Sequence, residues 1–234
     1  MKKFKTKIKT KSLENQPVLD LYQREGLESF GYMSSQSWKD DPRALGFTLS
    51  RYKFVAKMLS GIKNILEIGC GDAFFSRVVK QEVKNLSVSD WDPVFIDQII
   101  KRNKKEKNWK FKEIFKHDMC ISPTKKKYEG IYAVDVFEHI SKKKENKYLI
   151  NICKSLKNNR SILILGCPSI YSQKYASKMS KVGHVNCKTQ ENLNKKLRMF
   201  FHNTFMFSMN DEVLHTGYSK MSNYYFIICI NKKK

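Results

Sequence analysis

Ile65-Leu66-Glu67-Ile68-Gly69-Cys70-Gly71-Asp72-Ala73 decides how this chain is read. A short apolar run ends in Gly-x-Gly and leads into a helical pattern, which predicts a buried strand, a glycine turn and a helix. Glycine has no Cβ, so such a turn lets backbone come close to a bound nucleotide. Twenty-one residues beyond Gly69 the next apolar stretch, Leu86 to Ser89, ends at Asp90. An acid at that distance, at the tip of a second strand, is where a ribose diol is gripped.

Outward from this stretch, strand and helix patterns alternate. Strands are predicted over 65–69, 86–90, 110–116, 130–136 and 161–166, with helices over 74–83, 93–104 and 144–157. A helix near 189–200 precedes two last strands, about 203–209 and 223–230. Alternation of this kind implies an α/β fold, a seven-stranded and mostly parallel sheet with helices on both faces. Upstream, Val18 to Leu59 reads as helical with a break near Gly31 to Pro42. Its last part, Phe47 to Leu59, has apolar residues at helical spacing and is expected to pack on the sheet. Residues 1–12 read as a disordered basic tail, and residues 13–234 as one domain.

Composition fits a compact enzyme. The 234 residues are 41% hydrophobic, enough for a full core and too many for a disordered chain. Six cysteines show no Cys-x-x-Cys spacing, and several lie in apolar strands, as expected of reduced thiols in a cytoplasm. The basic start leads into no apolar run, so no secretory signal is read, and no stretch approaches the ~20 apolar residues that span a bilayer. The net charge is +23, of which Lys2 to Lys11 supply six and Lys232 to Lys234 three. Such a surface attracts nucleic acid or anionic membrane. The excess is nearly all lysine, however, whereas phosphate readers favour arginine forks, so compositional drift is the first account.

Glu67-Ile68-Gly69-Cys70-Gly71-Asp72-Ala73 resembles the first motif of the class I S-adenosylmethionine-dependent methyltransferases, with Ala73 in place of a third glycine. Asp90 with Trp91 resembles their second motif, and His117-Asp118-Met119 the third. Tyr128 to His139 and Ser161 to Gly166 resemble the fourth and fifth strands, and the motifs stand in order over roughly residues 47–230. The resemblance implies a Rossmann-like sheet with an antiparallel last strand and an N-terminal helical lid, about 13–60. It also implies S-adenosylmethionine as cofactor and S-adenosylhomocysteine as product. Carried over residue by residue, the cofactor site comprises Glu67, Gly69, Cys70, Gly71, Asp72, Asp90, Trp91, Asp118, Met119 and Asp135. A nicotinamide dehydrogenase is disfavoured, since Phe74 stands where its last glycine belongs.

Ligands bind beyond the carboxyl ends of parallel strands, which directs attention to the loops after strands four, five and six. His139, His184 and His215 fall on these three loops. Methyl transfer is an in-line displacement in which the protein positions the acceptor and removes its proton, and a near-neutral imidazole suits that base role. Asp135, Glu138, His139 and His184 are also a plausible Mg²⁺ or Mn²⁺ set. The run resembles metal-dependent O-methyltransferases, with Asp135 one methylene short of their glutamate, and equally resembles relatives without a metal. The metal-free account is taken first.

Other residues have blander readings. Tyr32, Trp38 and Arg43 serve either an acceptor pocket or the packing of the lid, and Arg51 either binds the cofactor carboxylate or, as the commoner case, is a helix-surface arginine. His117 flanks an adenine pocket, His202 reads as structural, and Asp211-Glu212 as a solvated turn. The expected reaction is O-methylation of a small molecule or saccharide. RNA or another polyanion is the second acceptor, and a non-catalytic cofactor-binding protein is the alternative of another class.

Overall fold

Residues 7–106 and 109–233 are described by the structure, a computed structural model. The described residues up to Phe30 form a unit of their own. It holds α1 (Gln16–Glu25), to which the preceding strip is tied. The Ile8 amide donates to the Gln23 side chain, and the Gln16 side chain donates to the Ile8 carbonyl. The tail expected over 1–12 falls in part on residues 1–6, outside the described residues.

The second unit begins at Gly31 with α2 (Tyr32–Asp40) and α3 (Arg43–Met58). It continues with β1 (Asn64–Ile68), α4 (Ser76–Lys80), β2 (Asn85–Asp90), α5 (Pro93–Lys105) and β3 (Glu113–Lys116). Next come β4 (Gly130–Val134), α6 (Lys142–Ser155), β5 (Ile162–Pro168), α7 (Lys178–Gly183) and α8 (Gln190–Arg198). The chain then runs through β6 (Phe201–Asn210), β7 (Val213–His215) and β8 (Tyr224–Lys232). The strands join in the order β3-β2-β1-β4-β5-β8-β6-β7. The first five are parallel, and β8 runs antiparallel to both β5 and β6.

The α/β sheet is therefore Rossmann-like as expected, with eight strands rather than seven. The extra one, β7, folds back on β6 through the two-residue turn Asp211-Glu212, with Asp211 at φ 50°. Three residues are too few to show an alternating pattern, so the segment reads as loop in the sequence. The upstream break also lies elsewhere. It falls around Gly26, at φ 84°, and the stretch Tyr32–Asp40 is helical. Ser34 is the one buried residue of α2, which leaves no apolar stripe to announce a helix.

Both faces of the central strands are covered, which explains their unbroken apolar runs. Leu66, Ile131, Leu163 and Ile227 enter one core with α6 and α8. Their neighbours Ile65, Tyr132, Ile164 and Phe226 enter the other, with α3 and α5. Each such fully buried side chain contributes roughly 1.5–3 kcal/mol. Among the described residues no helix is long and apolar enough to cross a membrane. The six cysteines are free thiols.

Candidate active site

The parallel strands bring the glycine turn, Asp90, Asp118 and Asp135 to one edge of the sheet. Gly69 and Gly71 adopt φ 69° and 52°, the left-handed region. A Cβ on Gly69 would meet Val136 Cγ2 at 2.4 Å, and one on Gly71 would meet Met33 Sδ at 2.5 Å. Ala73 also holds a left-handed φ of 51°, a strain of about 1–2 kcal/mol for a residue with a Cβ. Here the missing third glycine has a measurable cost.

Beneath the turn, Glu67 is buried and accepts hydrogen bonds from the phenols of Tyr52 and Tyr132, both at 2.7 Å. Burial pushes its carboxyl up to about 7 against these bonds. Asp72 faces the other way. Its carboxylate accepts from the Ser34 amide at 2.8 Å, the Ser34 hydroxyl at 3.2 Å and the Phe74 amide at 3.1 Å, which fastens α2 over the turn. Asp90 accepts from the amides of Gly71 and Asp92, each at 2.9 Å, and burial raises its pKa. Trp91 beside it is exposed, while Cys70 and Met119 are buried. Asp118 accepts from the Cys120 amide at 2.7 Å.

At the exit of β4, Asp135 sits at φ 57°. Its carboxylate accepts from Arg51 at 2.9 Å, and the same guanidinium lies 4.0 Å above the ring of Tyr224. Arg51 on α3 thus joins the β4 exit to the start of β8, a role its helix-surface reading missed.

Glu138 follows in a short 3-10 helix, Phe137–His139. It is buried, and neither carboxyl oxygen has a hydrogen-bond partner. Burial, then the charge of Asp135, pushes this carboxyl well above the ordinary range. Glu138, His139 and His184 each offer a ligand atom within 4.8 Å of the others, and the two imidazole centroids are 5.2 Å apart. His139 Nδ1 donates to the Gly183 carbonyl at 2.9 Å, and His184 Nδ1 donates to the Gln173 carbonyl oxygen at 2.7 Å. A carbonyl only accepts, so each Nδ1 carries a proton and only Nε2 can offer a lone pair. Burial, then the charge of His139, lowers the pKa of His184, so that lone pair is free at neutral pH.

The segment bearing His184 is anchored by Glu145 on α6. This buried carboxylate accepts from Asn186 and Lys188 at 2.8 Å and from Lys196 at 2.9 Å. Burial alone would raise its pKa, but these three bonds hold it below the usual value. The Asn186 amide also donates to the Glu138 carbonyl at 2.9 Å.

The structure brings His139 and His184 together but not His215. His215 lies on β7, four strands from β4, roughly 20 Å across the sheet. Its Nδ1 accepts from the Gly217 amide. Asp135 is engaged by Arg51 rather than grouped with Glu138 and the two imidazoles. Among residues with blander readings, His117 bonds the Ser122 carbonyl, His202 is exposed on β6, and Arg43 pairs with Asp41. Sequence reasoning missed Gln173, Tyr52, Tyr132 and Tyr224, since no spacing links them to their partners.

A family model for the methyltransferase domain matches residues 22–210. No curated protein sequence matches the chain. Among solved structures it is similar to N-methyltransferase NodS from Bradyrhizobium japonicum WM9 in complex with S-adenosylhomocysteine. That likeness has 18% identity and a TM-score of 0.58, and covers 91% of this chain and 97% of that one. The methyltransferase domain of bacterial CtHen1-C aligns at 11% identity and TM-score 0.65, over 79% and 98% of the two chains. An S-adenosylmethionine-dependent methyltransferase from Clostridium acetobutylicum ATCC 824 aligns at 12% and 0.63, over 84% and 96%. At these identities the likeness is one of fold. With the family match over most of its length and the glycine turn at the sheet edge, the chain belongs to the class I S-adenosylmethionine-dependent methyltransferases and uses that cofactor as methyl donor.

Proposed function

We propose that the protein transfers the methyl group to a hydroxyl of a small molecule or saccharide, with Glu138, His139 and His184 facing that hydroxyl. The observation behind this reading is a buried carboxyl without partners beside two imidazoles whose Nδ1 protons are both spoken for. In the transfer the acceptor oxygen attacks the methyl carbon in line. The carbon–sulfur bond breaks with its electrons going to sulfur, and the hydroxyl proton leaves to a base. The neutral Nε2 of His184 is our choice for that base. Asp90 is assigned to the ribose hydroxyls and the Gly69–Asp72 backbone to the rest of the nucleoside edge. Trp91, Asp118 and Met119 are assigned to the adenine, and the backbone of Asp135 to the amino-acid end.

The donor set also fits a divalent cation. Glu138, His139 and His184 would hold it, since the buried carboxyl has no hydrogen-bond partner and offers an oxygen within 4.8 Å of a ring nitrogen of each histidine. When bound, such an ion would lower the proton affinity of the acceptor hydroxyl. EDTA followed by Mg²⁺ or Mn²⁺ separates the two forms, and Glu138→Gln tests the cluster itself. Turnover should fall ~10²-fold or more in the variant while S-adenosylmethionine affinity stays unchanged. Wild-type turnover in Glu138→Gln and in both His→Ala variants would refute the assignment.

RNA is the second acceptor, favoured by the net charge of +23. A steep loss of turnover with salt, from release of phosphate counterions, would select it.

A further inference from the structure

Two segments leave the reactive edge of the sheet side by side. One follows β5 and contains a 3-10 helix, Ile170–Tyr175, and α7. The other follows β6 and contains β7 and a 3-10 turn, Ser219–Met221. Their bases are stitched together. The Ser169 amide donates to the Asn223 carbonyl at 2.9 Å, the Ser169 hydroxyl donates to Tyr225, and Tyr225 donates to the Ser219 carbonyl.

Both segments expose large apolar side chains. Tyr175, Met179 and Val182 keep 77%, 77% and 78% of their surface in water. Tyr218 and Met221 of the second segment keep 63% and 74%. Met179 and Val182 are three residues apart on α7 and so share one face. Exposed apolar side chains gathered on two segments joined at their bases, beside the reactive edge, are the makings of an interaction surface.

The charge beside these side chains specifies what fits there. Residues 169–190 contain four lysines and neither an acid nor an arginine. Lys188 is held by Glu145, which leaves Lys174, Lys178 and Lys181 exposed around the apolar face. Lys174 lies 4.7 Å from the ring centroid of Tyr175, and Lys220 lies 5.9 Å from that of Tyr218. Tyrosines with an apolar body and a polar tip, aliphatic side chains between them and lysines at the rim are the chemistry of a lipid headgroup boundary. A single-stranded polynucleotide would stack on the tyrosines but finds no ring at Met179 or Val182.

We propose that this face docks on an anionic lipid surface and that the acceptor hydroxyl is carried by a molecule resident in that surface. The acceptor half rests on the reading of the site given above. Geometry connects the two. Gly183, whose carbonyl orients His139, lies only four residues along α7 from Met179, about 6 Å of helix. Docking would therefore set headgroup hydroxyls beside His139 and His184, the members of the cluster that reach the surface.

Vesicle co-sedimentation without acceptor or cofactor tests the docking apart from the chemistry. Wild-type protein should bind phosphatidylcholine vesicles containing phosphatidylglycerol and leave pure phosphatidylcholine vesicles in the supernatant. Met179→Asp with Val182→Asp should weaken binding at least tenfold. Its thermal unfolding should match wild type, since both positions are exposed. Lys174→Gln, Lys178→Gln and Lys181→Gln together should remove the dependence on anionic lipid. Equal binding by wild type and the aspartate variant overturns the proposal, as does no binding to anionic vesicles at low salt. So does single-stranded RNA binding that the aspartate variant loses in step with vesicle binding, which would make the face a nucleic-acid surface. If docking fails while Glu138→Gln still abolishes turnover on a water-soluble acceptor, only the docking falls.

Discussion

Asp72→Ala should free α2 from the glycine turn while leaving the sheet intact. Three hydrogen bonds to the Asp72 carboxylate are lost, two of them from the buried Ser34. A hydrogen bond to a charged acceptor contributes about 1.5 kcal/mol at the low end, so the two buried ones amount to ~3 kcal/mol. The third, from the Phe74 amide, is less costly because that group is partly exposed. Ser34 is the only buried residue of α2. The helix's other contacts, Met33 on Gly71 and the Tyr32 amide on Gln98 among them, are made from exposed side chains or exposed backbone and resist release less. At ~1.4 kcal/mol per tenfold, 3 kcal/mol is about a hundredfold in the opening equilibrium. Hydrogen exchange read by mass spectrometry should show α2 amides exchanging about a hundredfold faster. Protection in β1, β4 and β5 should stay as in wild type, because local openings need not involve the whole fold. Asp72→Asn, which keeps one acceptor, should fall between. Unchanged exchange in α2, or an equal loss of protection throughout the sheet, would show that Asp72 does not fasten this helix.

Glu67 sets a pH dependence. Its folded pKa of about 7 lies above the ordinary 4.5, so the folded state holds a proton that the unfolded state has released. Stability therefore falls as pH rises between these values, by about 3 kcal/mol in all, and Glu67→Gln should flatten the slope. Thermal melts with the same drop in variant and wild type would contradict this. Asp90→Ala should weaken S-adenosylmethionine binding at least tenfold with the fold retained, and an unchanged affinity in calorimetry would remove Asp90 from the ribose site.

The sequence displays what backbone and burial dictate. The strand before Gly69 and the turn after it are legible because positive φ selects glycine and a doubly covered strand selects unbroken apolar residues. Asp90 is legible from spacing along the chain. Contacts set by tertiary packing are not. Nothing near Arg51 announces Asp135 or Tyr224, and nothing near His184 announces that Gln173 fixes its tautomer. The helix α2 escapes a periodicity reading because the Asp72 side chain, rather than an apolar stripe, fastens its one buried residue. His215 shows the limit of chain order. Chain order places it on a reactive loop, but that loop folds back as β7 and carries it sideways along the sheet.

The position of β8 has a consequence for biosynthesis. This strand is made after β6 and β7 yet lies between β5 and β6. A nascent chain can pair β3, β2, β1, β4 and β5 early, but the edge of β5 then stays open, a template for pairing with other chains. The β6–β7 hairpin has no route into the sheet until β8 arrives. Tyr224, the platform under Arg51, belongs to that late strand, so Arg51 acquires its final setting only in the last step of assembly. Variants that slow insertion of β8 should lose yield through aggregation during synthesis, even where the finished protein is as stable as before.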